Sequence, residues 1–311
     1  MEKRTNCFIN LLKPSGMTSH DAVNAVRRIM SERKTGHLGT LDPGAAGVLP
    51  IACGPAAARL IEFLPEKTKG YRAEILLGKS SSSGDLYGDV EDRPVRTPPS
   101  EEDVRKALRD FEGRQTQRPP AASALKINGV PMYSYFRRGI DVDVPEREIE
   151  ISSISLAKYA YPVMTIDVEC SAGTYIRSLA SDIGERLGCG GLMSYLIRYR
   201  SGSFLLRDSL TLEELSEVKD EIQLHSISPS EAMSSYVEIR ADEALMSRVR
   251  CGNEFEWAGG SISEGEIARI TDPDGDLAAV GEGVVRNGRI VVACRKVFAD
   301  FPGKFPSQEG L

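Results

Sequence analysis

An aspartate in a glycine-rich segment is the first candidate for chemistry in this sequence. Asp42 is followed by Pro43, within a stretch from 36 to 47 that contains four glycines. Glycine lets a backbone approach a ligand closely, and proline stiffens the turn that would present the carboxylate. A carboxylate can act as a nucleophile or as a general base. Asp and Pro are also common turn residues, so this segment alone favours an ordinary turn.

The cysteines and histidines lack the spacing of metal ligands. Six cysteines are scattered along the chain without a Cys-x-x-Cys pair, and three histidines accompany them. Zinc sites need closely spaced ligands of these types. Isolated cysteines are usually small buried hydrophobic residues. We therefore expect no metal and only a packing role for the cysteines.

Hydrophobic patterning outlines the elements that would position Asp42. The sequence from Thr18 to Asp21 predicts the N-cap of a helix whose apolar residues Ala22, Val23, Val26 and Ile29 share one face. Strands are predicted over 48–54, 71–77 and 163–170, helices over 56–64, 101–111, 175–187 and 213–218, and a loop over 36–47.

The last part of the chain has a different pattern. Short apolar segments at 267–270, 277–280 and 289–294 are separated by turn sequences, among them Asn287-Gly288, a strong hairpin signal. This spacing predicts a small all-β module at the C-terminal end.

Charge is distributed unevenly along the 311 residues. The net charge is −6, but residues 1–207 carry 29 basic and 25 acidic side chains, whereas 208–311 carry 10 and 20. A basic body can present a phosphate-binding face in spite of an acidic tail, because phosphate contacts depend on local lysines and arginines. Charge alone favours an ordinary solvated surface.

Neither a membrane span nor a signal peptide is predicted. No apolar stretch approaches the roughly 20 residues that cross a bilayer. The apolar run at 7–12 is too short and too interrupted for a signal peptide. We therefore expect a cytoplasmic protein without a membrane partner.

Several separated segments together resemble one known family. They include Lys13-Pro14-x-Gly16-x-Thr18-Ser19, the stretch 36–50, Lys69-Gly70-Tyr71-Arg72, and Gly173-Thr174-Tyr175-Ile176-Arg177, with Leu77-Gly78, Ser81, Ser83, Asp85, Gly88, the segment 117–129, Tyr135, Arg137, Gly139, Leu196, Arg198, Gly202 and Phe204. Their order and spacing resemble those of the TruB family of tRNA pseudouridine-55 synthases over nearly all of 8–206.

The resemblance implies a fold, an activity and a catalytic residue. The fold is α+β, a pseudouridine synthase fold with a largely antiparallel mixed sheet plus a small C-terminal β-rich PUA-like domain. The family detaches uracil from ribose at N1, rotates it and rejoins it through C5, without a cofactor. Asp42 matches the catalytic aspartate, for which attack at C6, attack at C1′ and abstraction of a sugar proton all remain open.

Further site residues follow from the same resemblance. Arg177 matches the arginine that pairs with the aspartate and keeps it charged, and Tyr71 matches the aromatic residue that stacks on the flipped base. Tyr175 and Leu196 match residues that line the same pocket. His37 matches a histidine near the flipped nucleotide, where stacking or turn structure suits it better than acid–base work.

The resemblance also implies contacts with the T stem-loop of tRNA. Residues 1–230 correspond to the catalytic domain, 115–148 to an RNA-binding thumb, and 236–303 to the PUA-like domain, in a supporting role. The candidate RNA-contacting residues are Lys13, Arg59, Lys69, Lys126, Arg137, Arg138 and Arg198, with Arg200 beside them.

Two segments depart from the family pattern. Gly44-Ala45-Ala46 stands where the family usually has Leu-Ala-Thr, and Arg59 takes the place of a lysine.

Two other functions compete with that of a tRNA enzyme. A guide-RNA-dependent relative is disfavoured by the thumb and by the lack of basic tails, so no obligatory protein or guide-RNA partner is expected. The other competing hypothesis is an RNA-folding chaperone, whose cellular role would remain intact after Asp42→Asn.

Overall fold

A large mixed sheet forms the centre of the part of the chain that precedes the C-terminal module. The computed structural model describes residues 6–298 except 65–67, 124, 128, 141 and 143, and at 126 and 131 it describes the backbone alone. Within this range the α-helices are α1 (Ser19–Ile29), α2 (Pro55–Leu60), α3 (Glu101–Arg109), α4 (Met132–Phe136), α5 (Ile176–Arg186), α6 (Leu212–Val218), α7 (Pro229–Ala232) and α8 (Glu243–Arg250). Short 3-10 helices span Ile61–Phe63, Leu206–Asp208 and Lys219–Leu224.

The strands are interspersed among these helices. In chain order they are β1 (Cys7–Lys13), β2 (Thr35–His37), β3 (Ala46–Cys53), β4 (Lys69–Leu77), β5 (Lys79–Ser81), β6 (Val90–Asp92), β7 (Gly113–Gln117), β8 (Lys126–Ile127), β9 (Val130–Pro131), β10 (Arg147–Ala160), β11 (Val163–Cys170), β12 (Gly191–Ser201), β13 (Phe204–Leu205), β14 (Val237–Arg240), β15 (Ile267–Thr271), β16 (Leu277–Arg286) and β17 (Arg289–Val297).

The order of the main sheet is β1-β3-β12-β4-β11-β10-β7, with β2 paired to β3 and β13 to β12. All of these pairs are antiparallel except β3 with β12. The prediction of an α+β fold with a largely antiparallel mixed sheet is confirmed. The parallel contact is short and joins Ala46 and Gly47 to Ile197 and Arg198.

Alternating residues of the central strands fill two different cores. In β1, Ile9 packs into the large core with helix α1, whereas its neighbour Phe8 faces a second core with helix α2 and the C-terminal module. Because successive strand residues point to opposite faces, the period of two explains this division. Helix α1 is held at its start by a capping box between Thr18 and Asp21.

The C-terminal strands form a separate four-stranded sheet in the order β14-β15-β16-β17. Asn287 and Gly288 both have positive φ, at 50° and 77°, as the tight hairpin between β16 and β17 requires. Phe298 and Val280 of this module pack against helix α2. The module is β-rich but not all-β as predicted, because helix α8 lies between β14 and β15 and packs into its core. Residues 299–303 of its predicted span lie outside the described residues.

Most of the predicted elements are confirmed, with one error around Asp42. The segment 36–47 is a loop only in its middle, because Gly36 and His37 pair with β3 and because Ala46 and Gly47 begin that strand. The long strands β10 and β12 were not among the predictions. Between β7 and β10, within the predicted thumb 115–148, lie the short hairpin β8–β9 and helix α4.

Candidate active site

Asp42 and Arg177 form an ion pair at the junction of two distant segments. Arg177 Nε lies 2.9 Å from Asp42 Oδ2, and Arg177 Nη2 donates a hydrogen bond of 3.2 Å to Oδ1. Asp42 lies in the loop between β2 and β3, and Arg177 lies in the first turn of α5. The arginine side chain is 5% exposed and the aspartate side chain 34%. The carboxylate therefore keeps an open face while its charge is balanced from behind.

Backbone carbonyl groups fix the orientation of this guanidinium. Arg177 Nη1 donates to the carbonyl oxygen of Ser83 at 3.1 Å, and Nη2 donates to that of Ala122 at 3.0 Å. The planar guanidinium can serve several acceptors at once, so these bonds restrict its rotation. Arg177 is a positioned cation and not a mobile surface arginine.

A second carboxylate lies behind the pair. Asp85 Oδ2 is 3.7 Å from Arg177 Nε, and the Asp85 side chain is 11% exposed. Ser83 Oγ donates to Asp85 Oδ1 at 2.5 Å. Asp85 and Ser83 belong to the motifs that carry the family resemblance, but neither is a predicted site residue. The signal was their place in a quoted motif, which does not reveal contact with Arg177.

The loop that carries Asp42 is anchored on both sides of the aspartate. The backbone N–H of Leu41 donates to Ser19 Oγ, and this hydroxyl lies at the same 2.9 Å from the Leu41 carbonyl oxygen. Lys13 Nζ donates to the carbonyl oxygens of Pro14 and Met17 at 2.8 and 2.6 Å, with that of Pro43 at 3.5 Å. Burial lowers the pKa of Lys13 to about 8, and the nearby Asp42 opposes that shift.

Arg198 of β12 anchors the other end of the same loop. Its Nε donates to the Val48 carbonyl oxygen at 2.8 Å, and its terminal nitrogens donate to those of Thr40 and Gly39 at 3.4 and 3.2 Å. Gly47 permits this arrangement, because a Cβ atom there would lie 2.2 Å from the Arg198 carbonyl oxygen. Its φ of +113° also favours glycine.

The assignment of Lys13 and Arg198 as phosphate contacts is corrected by this geometry. Lys13 is 0% exposed and Arg198 is 1% exposed. Their donors already serve carbonyl groups of the protein, so a phosphate has no access to them. Both are structural supports of the loop that carries Asp42.

A cavity of about 820 Å³ opens in front of the ion pair. Asp42, Arg177, Tyr71 and Leu196 line it together. Tyr71 comes from β4 and Leu196 from β12, two strands that are paired in the main sheet. Tyr71 is 8% exposed, and burial raises the pKa of its phenol, with Arg198 acting in the opposite direction. The floor of the cavity is thus an apolar, aromatic surface beside a carboxylate.

Tyr175 and His37 line the same cavity. The backbone of Tyr175 is held by Gln117, which accepts from its N–H at 2.8 Å and donates to its carbonyl at 3.0 Å. His37 is half-buried. Burial lowers the pKa of its imidazole, with Arg198 and His20 adding to the effect. A neutral ring suits stacking better than proton donation.

The remaining predicted RNA-contacting residues occupy different surroundings. Lys69 lines the cavity, where Nζ donates to Ser201 Oγ at 2.7 Å and burial lowers its pKa to about 8. Arg137 and Arg138 are exposed in the turn after α4. Arg59 is exposed on α2 with its guanidinium 5.4 Å from the centre of the Phe298 ring. The side chain of Lys126 lies outside the described residues.

Two absences hold for the part of the chain that the structure describes. It contains no group of three or more histidine, cysteine or acidic side chains placed to hold a metal ion. None of its helices has the length and apolar character needed to cross a membrane.

Two parts of the chain match known protein families. Residues 27–176 match the TruB family pseudouridylate synthase N-terminal domain, and residues 177–234 match the tRNA pseudouridylate synthase B C-terminal domain. The chain belongs to the TruB family. The resemblance that the sequence motifs suggested is thereby confirmed, and the cavity around Asp42 is a candidate active site of a TruB-family pseudouridylate synthase.

Individual relatives agree with this family. The tRNA pseudouridine synthase B of Heliobacterium modesticaldum is 44% identical over 294 residues, covering 94% of this chain and 95% of that protein. The protein of the same name from Carboxydothermus hydrogenoformans is 46% identical over 212 residues, covering 67% of this chain and 73% of its own length.

Solved structures resemble the TruB-family chain over nearly its whole length. One is an H/ACA RNP bound to a substrate RNA containing 2′-deoxyuridine, with a TM-score of 0.72 and 26% identity, covering 96% of this chain and 87% of that one. Another is an archaeal box H/ACA sRNP Nop10-Cbf5 complex, with a TM-score of 0.70 and 26% identity, covering 97% and 89%. The pseudouridine synthase fold is confirmed.

Proposed function

We propose that this chain isomerises the uridine at position 55 in the TΨC loop of tRNA to pseudouridine, with Asp42 as the essential carboxylate. The N1–C1′ bond of the uridine breaks, the uracil rotates, and a C5–C1′ bond forms. The proton leaves C5 and a proton is gained at N1, so the reaction is balanced without a redox partner. No cofactor is required. The Asp42–Arg177 ion pair at the cavity carries the proposal.

The ion pair suits this chemistry for an electrostatic reason. A carboxylate can attack C6 or C1′ or remove a sugar proton, and the guanidinium of Arg177 holds that of Asp42 in place at 2.9 Å. The 34% exposed side chain of Asp42 remains reachable from the cavity. Arg177 supports the carboxylate without covering it.

The aromatic lining supports binding of a flipped base. A uridine inside a structured loop has to leave its stack before its ring can react, and an aromatic platform offsets part of that cost. Tyr71 and Tyr175 are the proposed platform and wall of the pocket, with Leu196 as an apolar neighbour. His37, which is half-buried and lines the same cavity, is proposed to contact the nucleotide without transferring a proton.

Each part of the chain has a proposed role. Residues 1–230 form the proposed catalytic domain, 115–148 its RNA-clamping thumb, and 236–303 a PUA-like supporting domain. Arg137 and Arg138 suit the thumb because they are exposed. Lys69 is a candidate phosphate contact inside the cavity, and Arg59 a candidate on α2.

We propose a stand-alone enzyme that acts on tRNA without a guide RNA. The relatives named tRNA pseudouridine synthase B are 38–46% identical to this chain, whereas the matching chains from H/ACA complexes are 26–27% identical. This difference favours the tRNA enzyme over the guide-dependent relative.

One experiment tests the proposal. Unmodified tRNA transcript is incubated with the purified protein alone, and pseudouridine is mapped at single-nucleotide resolution. We expect modification at position 55 with the unaltered chain and none with Asp42→Asn, while tRNA binding survives. Asp208→Asn changes a 60% exposed carboxylate and serves as the control. Modification by Asp42→Asn, or modification only when a guide RNA is added, contradicts the proposal.

A further inference from the structure

A tyrosine outside the cavity is unusually exposed. Tyr87 is 74% exposed, and the adjacent Leu86 is 51% exposed. Both lie in the turn between β5 and β6, which also contains Asp85. Large apolar side chains with this exposure are candidates for contact with another molecule when they adjoin a functional site.

The ring of Tyr87 packs against the loop of Asp42. A Cβ atom at Gly44 would lie 2.5 Å from Tyr87 Cε2 and 2.9 Å from its hydroxyl oxygen. Glycine at 44 therefore leaves the space that the ring occupies. Gly44 follows Pro43 directly and is one of the positions at which this chain departs from the usual family sequence. The glycine at which this chain differs from the family is therefore the residue over which the exposed ring of Tyr87 lies.

The backbone of Tyr87 is tied to the charged network of the site. Its N–H donates to Asp85 Oδ1 at 3.0 Å, and the other oxygen of Asp85 is 3.7 Å from Arg177 Nε. The backbone of Tyr87 is thus bonded to Asp85, and its ring lies over Gly44. The ring therefore adjoins the loop of Asp42, and its other face is open to solvent.

We propose that Tyr87 is a second stacking platform, which binds an unpaired nucleobase of the RNA next to the uridine that enters the cavity. This inference rests on the proposed function. Tyr71 is buried and faces the cavity, so it serves the target base. Tyr87 adjoins the same catalytic loop but is not part of the cavity lining. Flipping one base out of a loop unstacks its neighbours, and an exposed aromatic ring gives one of them a new partner.

Binding of a stem-loop RNA tests the role of the ring. The dissociation constant of a fluorescent TΨC stem-loop is measured by anisotropy with the full chain carrying Asp42→Asn, so that no reaction occurs. We expect Tyr87→Ala to weaken binding about tenfold, which corresponds to about 1.4 kcal/mol and lies within the range of base–aromatic stacking. Tyr87→Phe retains the ring and should bind like its parent. The control Tyr195→Ala removes a 46% exposed tyrosine that does not line the cavity, and binding should not change.

The packing on Gly44 gives an independent second variant. Gly44→Ala has to displace the Tyr87 ring, so it should weaken RNA binding in the chain with Tyr87 but have little further effect in the Tyr87→Ala chain. If Gly44→Ala weakens RNA binding equally in the chain with Tyr87 and in the Tyr87→Ala chain, Gly44 does not act through the ring.

Abasic RNAs identify the stacked base. Unpaired positions on either side of the target uridine are made abasic one at a time, and the penalty of Tyr87→Ala should vanish for one of these RNAs. The inference is overturned if Tyr87→Ala binds like its parent, if Tyr87→Phe is equally weak, or if every abasic RNA keeps the full penalty. The last result would assign the ring to a sugar–phosphate contact.

The two proposals fail in distinguishable ways. Pseudouridine at position 55 with unchanged binding by Tyr87→Ala removes only the stacking role. Weakened RNA binding by Tyr87→Ala, together with no pseudouridine from the chain that keeps Asp42, removes only the proposed reaction.

Discussion

Arg198 on β12 lies directly opposite Tyr71 on β4, and the same guanidinium binds the carbonyl groups of Gly39 and Thr40. One buried side chain therefore connects the proposed base platform with the loop of the proposed catalytic carboxylate. Its guanidinium donates to three carbonyl oxygens, those of Val48, Thr40 and Gly39. A lysine in its place would leave some of these carbonyl groups without a donor.

Arg198→Lys should lower the free energy of unfolding by about 2 kcal/mol, because a lysine ammonium cannot reach all three carbonyl groups and buried acceptors lose their donors. Urea denaturation measures this change. Arg200→Lys alters a neighbouring arginine that is 36% exposed and paired with Glu169, and should cost less than about 1 kcal/mol. Unchanged stability of Arg198→Lys with weakened RNA binding would restore the phosphate assignment.

Asp85→Asn should reduce the single-turnover rate at saturating tRNA by about 10- to 100-fold, because a small misplacement of a catalytic group has effects of this size. Asp85 helps to hold Arg177, which holds Asp42. Anisotropy with labelled tRNA should give an unchanged dissociation constant. Asp89→Asn changes an exposed carboxylate in the same turn and is the matched control. A rate equal to that of the control would remove Asp85 from the site.

Tyr71→Leu should lower kcat/KM by about 10- to 100-fold, since it replaces an aromatic platform by an aliphatic side chain and stacking contributes about 1–3 kcal/mol per base. Tyr71→Phe keeps the ring and should lose less than about tenfold. Steady-state formation of pseudouridine measures both. Similar losses for the two variants would assign the role to the hydroxyl group and not to the ring.

The contribution of Lys69 to the free energy of unfolding should rise between about pH 8 and pH 10. Burial lowers the pKa of Lys69 to about 8, below its ordinary value near 10.5. Between these values the unfolded chain binds the proton and the folded chain does not, so raising the pH favours folding. Urea denaturation from pH 7 to pH 10 should show a flatter rise for Lys69→Met. Lys158→Met, at an exposed position of β10, should keep the slope of the unaltered chain.

The sequence motifs were sufficient to select the central residues of the site but not to describe their surroundings. Asp42, Tyr71 and Arg177 were selected by their resemblance to family motifs, and the structure brings Arg177 within 2.9 Å of Asp42. Their roles stay predictions. The N-cap of α1 was predictable because Thr18 and Asp21 act locally.

The errors concern residues whose environment is made by distant segments. The family resemblance implied RNA contacts for Lys13 and Arg198, and such contacts require exposed side chains. Their carbonyl partners come from neighbouring turns and from a loop about 150 residues away in sequence, which no local pattern reveals. Gly36 and His37 were assigned to a loop for the same reason, since they become a strand only by pairing with β3.

The parallel contact between β3 and β12 has a consequence for biosynthesis. The loop of Asp42 receives Arg177 and Arg198 only after more than 130 further residues have left the ribosome, because those partners lie late in the chain. Contacts of such separation form slowly, since a long loop has to close first. The ion pair of the candidate site can therefore form only after α5 has been synthesised, and the Arg198 anchor of the same loop only after β12.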